Sequence, residues 1–354
     1  MLGISKRQAE DLLHMACKNG QLSLIKNLLK SKVDINSMNA EGLSPLHLAV
    51  IEGHIELTNL LINKGANIEM KDLKWGSSPL LYACQNGRTK ILKMLLEKGA
   101  DINAKCNKGG TFAIHFAAQS GKSDLIDFLL QRGFDINSEN DDRLTPLHYI
   151  MQYWNYPKGR VTSLYEKSKI LIERGAKIDS ESSDGDTPLM LATMTNDIRV
   201  VRLLIFLGAN VNHRSEYFKI TALHYAACKQ NGENDQVMQI LIDNGAEVDA
   251  QARINLNTPL HINILNKGSI KNAKVLLANG SKLLLKNAYG ETAFHLALQY
   301  HDTKFIKLAL EFQPSLVLAL NSGKDHLLEH ILRQANICAF KMIIYHCHKY
   351  MYCQ

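Results

Sequence analysis

The chain is built from copies of one pattern. SPLHLAV from Ser44, TPLHYIM from Thr145, TALHYAA from Thr221, TPLHINI from Thr258 and TAFHLAL from Thr292 share a motif, and looser copies begin at Asp11, Ser78, Phe112, Thr187 and Asp325. The ten starts are separated by 33, 34, 34, 33, 42, 34, 37, 34 and 33 residues, so seven of nine steps are regular and two carry local insertions. A second signature runs in phase, from Gly65-Ala-Asn-Ile through Gly99-Ala-Asp-Ile and Gly133-Phe-Asp-Ile to Gly245-Ala-Glu-Val. A period of this size implies one supersecondary unit stacked on copies of itself, because no single unit can bury its own apolar faces.

Each copy carries its own folding instructions. Ser44 or Thr145 supplies a hydroxyl that caps a helix, and Pro45 or Pro146 occupies the first helical position, where a missing N–H costs nothing. Leu46 and Ala49 form one apolar face, and Gly53, Gly87 or Gly121 ends the run. A second apolar period, such as Ile55, Leu57, Leu60 and Leu61, stops at Gly65, a residue suited to the left-handed turn after a helix. Two short antiparallel helices per unit follow, joined to the next pair by a polar stretch such as NIEMKDLKWG.

The period and the T-P-L-H-x-A pattern resemble the ankyrin repeat over about residues 10–333, ten tandem copies with the first and last degenerate. That resemblance implies an all-α repeat solenoid of helix-turn-helix units joined by β-turn fingers. Residues 1–30 then form an N-terminal capping repeat, 31–335 the solenoid with a helix–helix insertion at about 151–166, and 336–354 a C-terminal capping helix. It also implies a non-enzymatic scaffold or adaptor that grips a protein partner with finger tips and the concave face of the first helices. Ankyrin-type substrate receptors of ubiquitin ligases, regulators resembling the inhibitor of NF-κB, and host-directed viral or bacterial effectors are the alternatives the resemblance brings, with an enzyme of unrecognised type a distant one.

Composition narrows the partner classes. A formal charge of +7 is spread without a block of like charges, which points away from nucleic acid. The chain has no run of about 18 apolar residues, so membrane insertion is not expected, and the start MLGISKRQAEDLLHMACK lacks the apolar core of a signal peptide. Seven cysteines without a paired framework suit a reducing compartment, so the expected location is cytoplasmic or nuclear.

Candidate chemistry dissolves into the repeat. His14, His47, His115, His148, His224, His261 and His295 share one slot, which the resemblance assigns to structural hydrogen bonds near the finger. No phosphate loop, H-E-x-x-H or G-x-S-x-G pattern occurs, so no catalytic residue, cofactor, metal or small-molecule substrate is expected. Cys17 and Cys84 fall in the slot of Ala118 and read as small core residues. Cys338, Cys347 and Cys353 have C-x8-C-x5-C spacing, but a helix would place the first two about 180° apart, so a capping helix is preferred over a zinc site. Asn36, Asn103, Asn137 and Asn212 each follow a leucine by eight residues, an arrangement the resemblance links to asparaginyl hydroxylation; a turn-stabilising role is preferred.

The partner site is sought where aromatic residues lie outside the core pattern. Trp75, Arg143, Tyr217 and Phe218 fall at finger tips, and the insertion after His148 carries Met151, Tyr153, Trp154 and Tyr156. Tryptophan and tyrosine bury much area at small entropic cost, so these eight residues are the expected anchors for a protein partner of unknown identity.

Overall fold

The structure, a computed structural model, describes residues 5–31, 33–152, 163–228, 234–300, 302–314 and 316. It divides into two compact units, residues 1–177 and 178–354. In the first, α1 (Lys6–Lys18) pairs with α2 (Leu22–Lys30), α3 (Pro45–Glu52) with α4 (Ile55–Asn63), α5 (Pro79–Gln85) with α6 (Thr89–Glu97), α7 (Ala113–Ser120) with α8 (Ser123–Gln131) and α9 (Pro146–Gln152) with α10 (Leu164–Glu173). In the second, α11 (Pro188–Thr195) pairs with α12 (Ile198–Phe206), α13 (Ala222–Ala227) with α14 (Asp235–Asp243), α15 (Pro259–Leu265) with α16 (Ile270–Ala278) and α17 (Ala293–Gln299) with α18 (Thr303–Phe312). The tenth unit, the segment 336–354 with its three cysteines, and Tyr153, Trp154 and Tyr156 lie outside the described residues.

The helices start as the motif predicts, with one addition. Thr258 Oγ1 accepts from His261 N–H at 3.4 Å while the His261 ring takes back the Thr258 N–H at 3.3 Å, so the motif histidine plays the part that Glu or Gln plays in a capping box. Ser44 with His47 and Thr292 with His295 repeat the arrangement. At the amino end α1 begins at Lys6 rather than at the motif start Asp11, because Ser5 and Gln8 form a capping box of their own.

Each unit is an α-helical repeat solenoid in two layers. The first helices of successive pairs pack on one another, α1 on α3, α5, α7 and α9 in turn and α11 on α13, α15 and α17, and second helices stack behind them. A first helix is therefore covered on nearly every side: all eight residues of α7 are buried. A second helix buries one stripe, such as Leu125, Ile126 and Leu129 of α8, and its other face meets water. Cys17 and Cys84 are wholly buried, as expected of small core residues, and burial pushes the Cys17 thiol up to about 12.

Two polar ladders knit the stacks. The histidine rings reach one repeat on, from His47 Nε2 to Ser77 O at 3.1 Å, His115 to Leu144 O at 2.8 Å and His224 to Asn257 O at 3.1 Å. In the Gly-Ala-Asn-Ile signature the third and fifth residues act in relay. Asn67 Oδ1 takes the Glu69 N–H and so makes a turn, while Asn36 Oδ1 takes the Asn67 N–H at 2.8 Å and Asn212 Oδ1 takes the Glu247 N–H at 2.8 Å. Asn212 Nδ2 also donates to Gly245 O at 2.8 Å. Asn137 does both for Lys177 and Gly175. The turn at Asn36, Asn103, Asn137 and Asn212 is closed by the residue two before each, Asp34, Asp101, Asp135 and Asn210, which accepts the asparagine N–H, whereas the side chains of Asn36, Asn137 and Asn212 bond the next repeat.

The fingers close tightly enough to demand left-handed backbone two residues before each cap. Gly42, Gly76, Gly110, Gly185 and Gly290 fill that slot, and at Gly42 an added Cβ would lie 2.6 Å from the Leu73 Cβ of the next finger. Arg143, Lys219 and Leu256 occupy the same slot at φ of 53°, 50° and 50°, a conformation that disfavours side chains by roughly 1–2 kcal/mol.

Candidate functional site

Trp75 is presented by a finger built around one carboxylate. Asp72, buried at the base, accepts the N–H groups of Lys74 and Trp75 on Oδ1, at 2.8 and 2.7 Å, and that of Ser77 on Oδ2 at 2.7 Å. The main chain closes the loop through Asp72 N–H to Ser77 O, and the next finger grips it through Asn107 N–H to Trp75 O at 3.1 Å. The backbone that carries the indole is thus fixed on both sides, and Trp75 remains 40% exposed. A finger already ordered adds little ordering cost on binding.

Behind Trp75 lies a row of inner-helix aromatics. Tyr82 of α5, Phe116 of α7 and Tyr149 of α9 occupy one motif position, four residues after the cap. Phe116 and Tyr149 meet edge to face at 5.7 Å, and Tyr82 meets the His47 ring likewise at 5.5 Å. With Trp75, Cys106 and Thr111 they line a cavity of about 210 Å³ under the fingers. A broader cavity of about 600 Å³ lies on the other side of Trp75, toward Leu43, Ile51 and Leu73. Trp75, Tyr82 and Gln85 line both cavities and so form the wall between them.

Charge at the site is uneven. The ammonium groups of Lys74 and Lys108 lie 5.3 and 5.6 Å from the centre of the Trp75 ring. Asp142 borders the narrow cavity and Glu41 the broad one. Burial lowers the pKa of His47, whose ring Tyr82 touches, and takes that of His115 down to about 4.

The remaining expected anchors fall in different settings. Arg143 stands at its finger tip, half exposed and 3.8 Å from Glu139. Tyr217 and Phe218 are exposed at 56% and 50% on a finger of the second unit, where Ile254, Leu256 and Tyr289 on the next two fingers are exposed as well. Met151 is a correction. It lies in the last turn of α9 at 1% exposure and serves the core instead of a partner, because its place in the inner helix faces neighbouring helices. Sequence reading missed Leu73, Tyr82, Phe116 and Tyr149; the signal was the aromatic residue at the variable motif position in SPLLYAC, FAIHFAA and TPLHYIM.

In the second unit Tyr225 Oη donates to Asp186 Oδ2 at 2.8 Å, tying a finger to α13, and burial raises the Asp186 carboxyl. His213 rests its Nε2 on Gly185 O at 3.1 Å, beside the same finger. Among the described residues no three His, Cys, Asp or Glu side chains group to hold a metal ion.

A family model described as ankyrin repeats in three copies matches residues 13–106, 114–215, 162–252 and 208–287, well over half of the chain. The chain belongs to the ankyrin-repeat family. The crystal structure of the human ASB11 ankyrin repeat domain superposes with a TM-score of 0.52 at 28% identity, covering 66% of this chain and 98% of that one. This ankyrin-repeat chain is 29% identical over 307 residues to the E3 ubiquitin-protein ligase KEG of Arabidopsis thaliana, which is 84% of this chain and 18% of the ligase. It is 29% identical over 180 residues to an ankyrin repeat protein of Variola virus, 51% of this chain and 24% of the viral protein. The ankyrin-repeat chain therefore spans under a quarter of the length of these curated relatives. Ankyrin repeats are modules of protein–protein interaction, and no helix among the described residues is long and apolar enough to cross a membrane.

Proposed function

We propose that the chain is a non-catalytic adaptor whose first unit docks a protein partner on the face centred on Trp75. One observation carries the reading: a part-exposed indole, on a finger whose backbone is tied to Asp72, stands between two cavities walled by inner-helix aromatics. Tryptophan and tyrosine set at pocket walls dominate interface energetics. Core packing does not call for a tryptophan at this tip, since the repeat-equivalent residues at the other tips are not tryptophan. Tyr217 and Phe218 are proposed as contacts for a partner on the second unit, argued from their exposure alone.

A second reading, the receptor portion of a ubiquitin ligase, is favoured by the long match to a protein named as such, and it uses the same docking face. Buried Cys17 and Cys84 fit a reducing compartment, which supports a cytosolic or nuclear location. The test is quantitative affinity capture from cells with the wild-type chain and with Trp75→Ala and Leu73→Asp together. Captured proteins depleted at least tenfold by the double variant, with circular dichroism unchanged, are expected. An identical capture profile refutes the docking role.

A further inference from the structure

The shape and charge around Trp75 narrow the chemistry of what docks there. The broad cavity lies between the finger of residues 39–43 and that of residues 72–77; the narrow one opens between the latter and residues 106–111 and runs on to Asn140, Asp142 and Tyr149, so the parts of the two that flank Trp75 are one repeat apart. Packed helix layers lie about 8–10 Å apart. An extended polyproline-II segment advances about 3.1 Å per residue with three residues per turn, so its side chains at i and i+3 share a face at about 9 Å spacing. One such segment reaches both cavities at once.

Lys74 and Lys108 supply the sign. On neighbouring fingers Lys105 is paired with Asp141 at 3.9 Å and Arg143 with Glu139 at 3.8 Å, and Lys71 donates to Asn107 Oδ1. Lys74 and Lys108 make no ion pair among the described residues, and both cations stand on the indole that divides the cavities. Glu41 and Asp142 lie toward the two far ends. A cationic occupant on either side of the indole would meet an ammonium group, whereas a carboxylate there gains a charge-assisted partner.

Resting on the docking role of Trp75, we infer that the occupant is an extended protein segment with two bulky apolar side chains three residues apart and an aspartate or glutamate between them. The apolar side chains fill the cavities on either side of Trp75, and the acid pairs with Lys74 or Lys108. The uneven cavities set an order of preference, the larger side chain in the broader one.

A displayed random dodecapeptide library, selected on the full chain, tests this. The expected consensus is two bulky apolar residues separated by two positions, at least one of them acidic, with capture reduced tenfold or more by Trp75→Ala. Lys74→Glu with Lys108→Glu is expected to exchange the acidic positions for Lys or Arg, and Lys74→Gln with Lys108→Gln to weaken a synthetic consensus peptide about tenfold in fluorescence polarisation. All of these residues are exposed or part-exposed, and circular dichroism checks that each variant folds. Peptides captured equally by Trp75→Ala overturn the docking role itself. Peptides that need Trp75 but show no acidic preference, or one unmoved by the charge swap, overturn only the inference about the occupant. A basic consensus, or no enrichment at all, overturns it too.

Discussion

Mild acid should loosen both units through the histidine ladder. In His224 the Thr221 N–H points at Nδ1 from 3.1 Å, so Nδ1 carries the lone pair and Nε2–H donates to Asn257 O. A proton on Nδ1 would turn that acceptor against a donor. Burial lowers His224 and His115 from the ordinary 6.5 to about 4, the first with Arg214 adding to the effect and the second with His148 adding to it. Because the folded state binds the proton more weakly than the unfolded chain, each ring's contribution is complete above about 6.5 and is lost as pH falls toward 4. Between pH 7 and pH 5 the two pKa values imply a loss of about 2 kcal/mol per ring, one in each unit. Burial also lowers His47 and His261, with the same sign, while the raised carboxyl of Asp186 opposes them in the second unit. With a urea dependence of about 2 kcal/mol per molar, each unit's midpoint should fall by about 1 M. Urea titrations at pH 7 and pH 5, read unit by unit through hydrogen exchange, measure it. In His115→Gln with His224→Gln the pH-dependent part should shrink while stability at pH 7 drops. A midpoint that stays level or rises on acidification, or an undiminished pH effect in the double variant, would refute the ladder's role.

Other substitutions test separate parts of the account. Gly185→Ala should destabilise the second unit by about 2–4 kcal/mol in chemical denaturation, because it combines a φ of 77° with a Cβ driven into the Glu216 backbone. Lys219→Gly or Leu256→Gly, which relieves the same left-handed slot, should stabilise by about 0.5–1 kcal/mol in the same assay. Asn212→Ala removes one bond given and one received by the next repeat and should cost about 1–2 kcal/mol, with faster exchange of the Glu247 amide. Leu129→Ala, at a wholly buried stripe position of α8, should cost about 2–5 kcal/mol, far more than Trp75→Ala at the finger tip.

The helix pairs were legible because hydroxyl, proline, apolar residue and glycine recur at fixed offsets, and each acts on its own immediate neighbours. What reached further was harder to read. Asn36 and Asn212 were identifiable as turn residues, but their bonds to Asn67 and Glu247 exist only once the next repeat is stacked. Trp75 stood out as an aromatic beyond the core pattern, yet Tyr82, Phe116 and Tyr149 sat inside the motif and looked like ordinary core. Only the stacking shows that this position borders the groove. Met151 misled for the converse reason: it neighbours an insertion in sequence while its helix continues to face the core. Arg143, Lys219 and Leu256 carry no sequence mark of the left-handed slot they share with five glycines, since only the register of the finger defines it.

Site-specific photocrosslinking puts the docking face to the most direct test. A p-benzoyl-phenylalanine replaces Leu73, which is 75% exposed beside Trp75, and in a separate chain it replaces Phe206 of α12, which is 86% exposed on the second unit. The account predicts discrete protein adducts from the Leu73 position, abolished when Trp75→Ala is added, and none of those adducts from the Phe206 position. Adducts of equal yield from both positions, or a Leu73 adduct indifferent to Trp75→Ala, would contradict it.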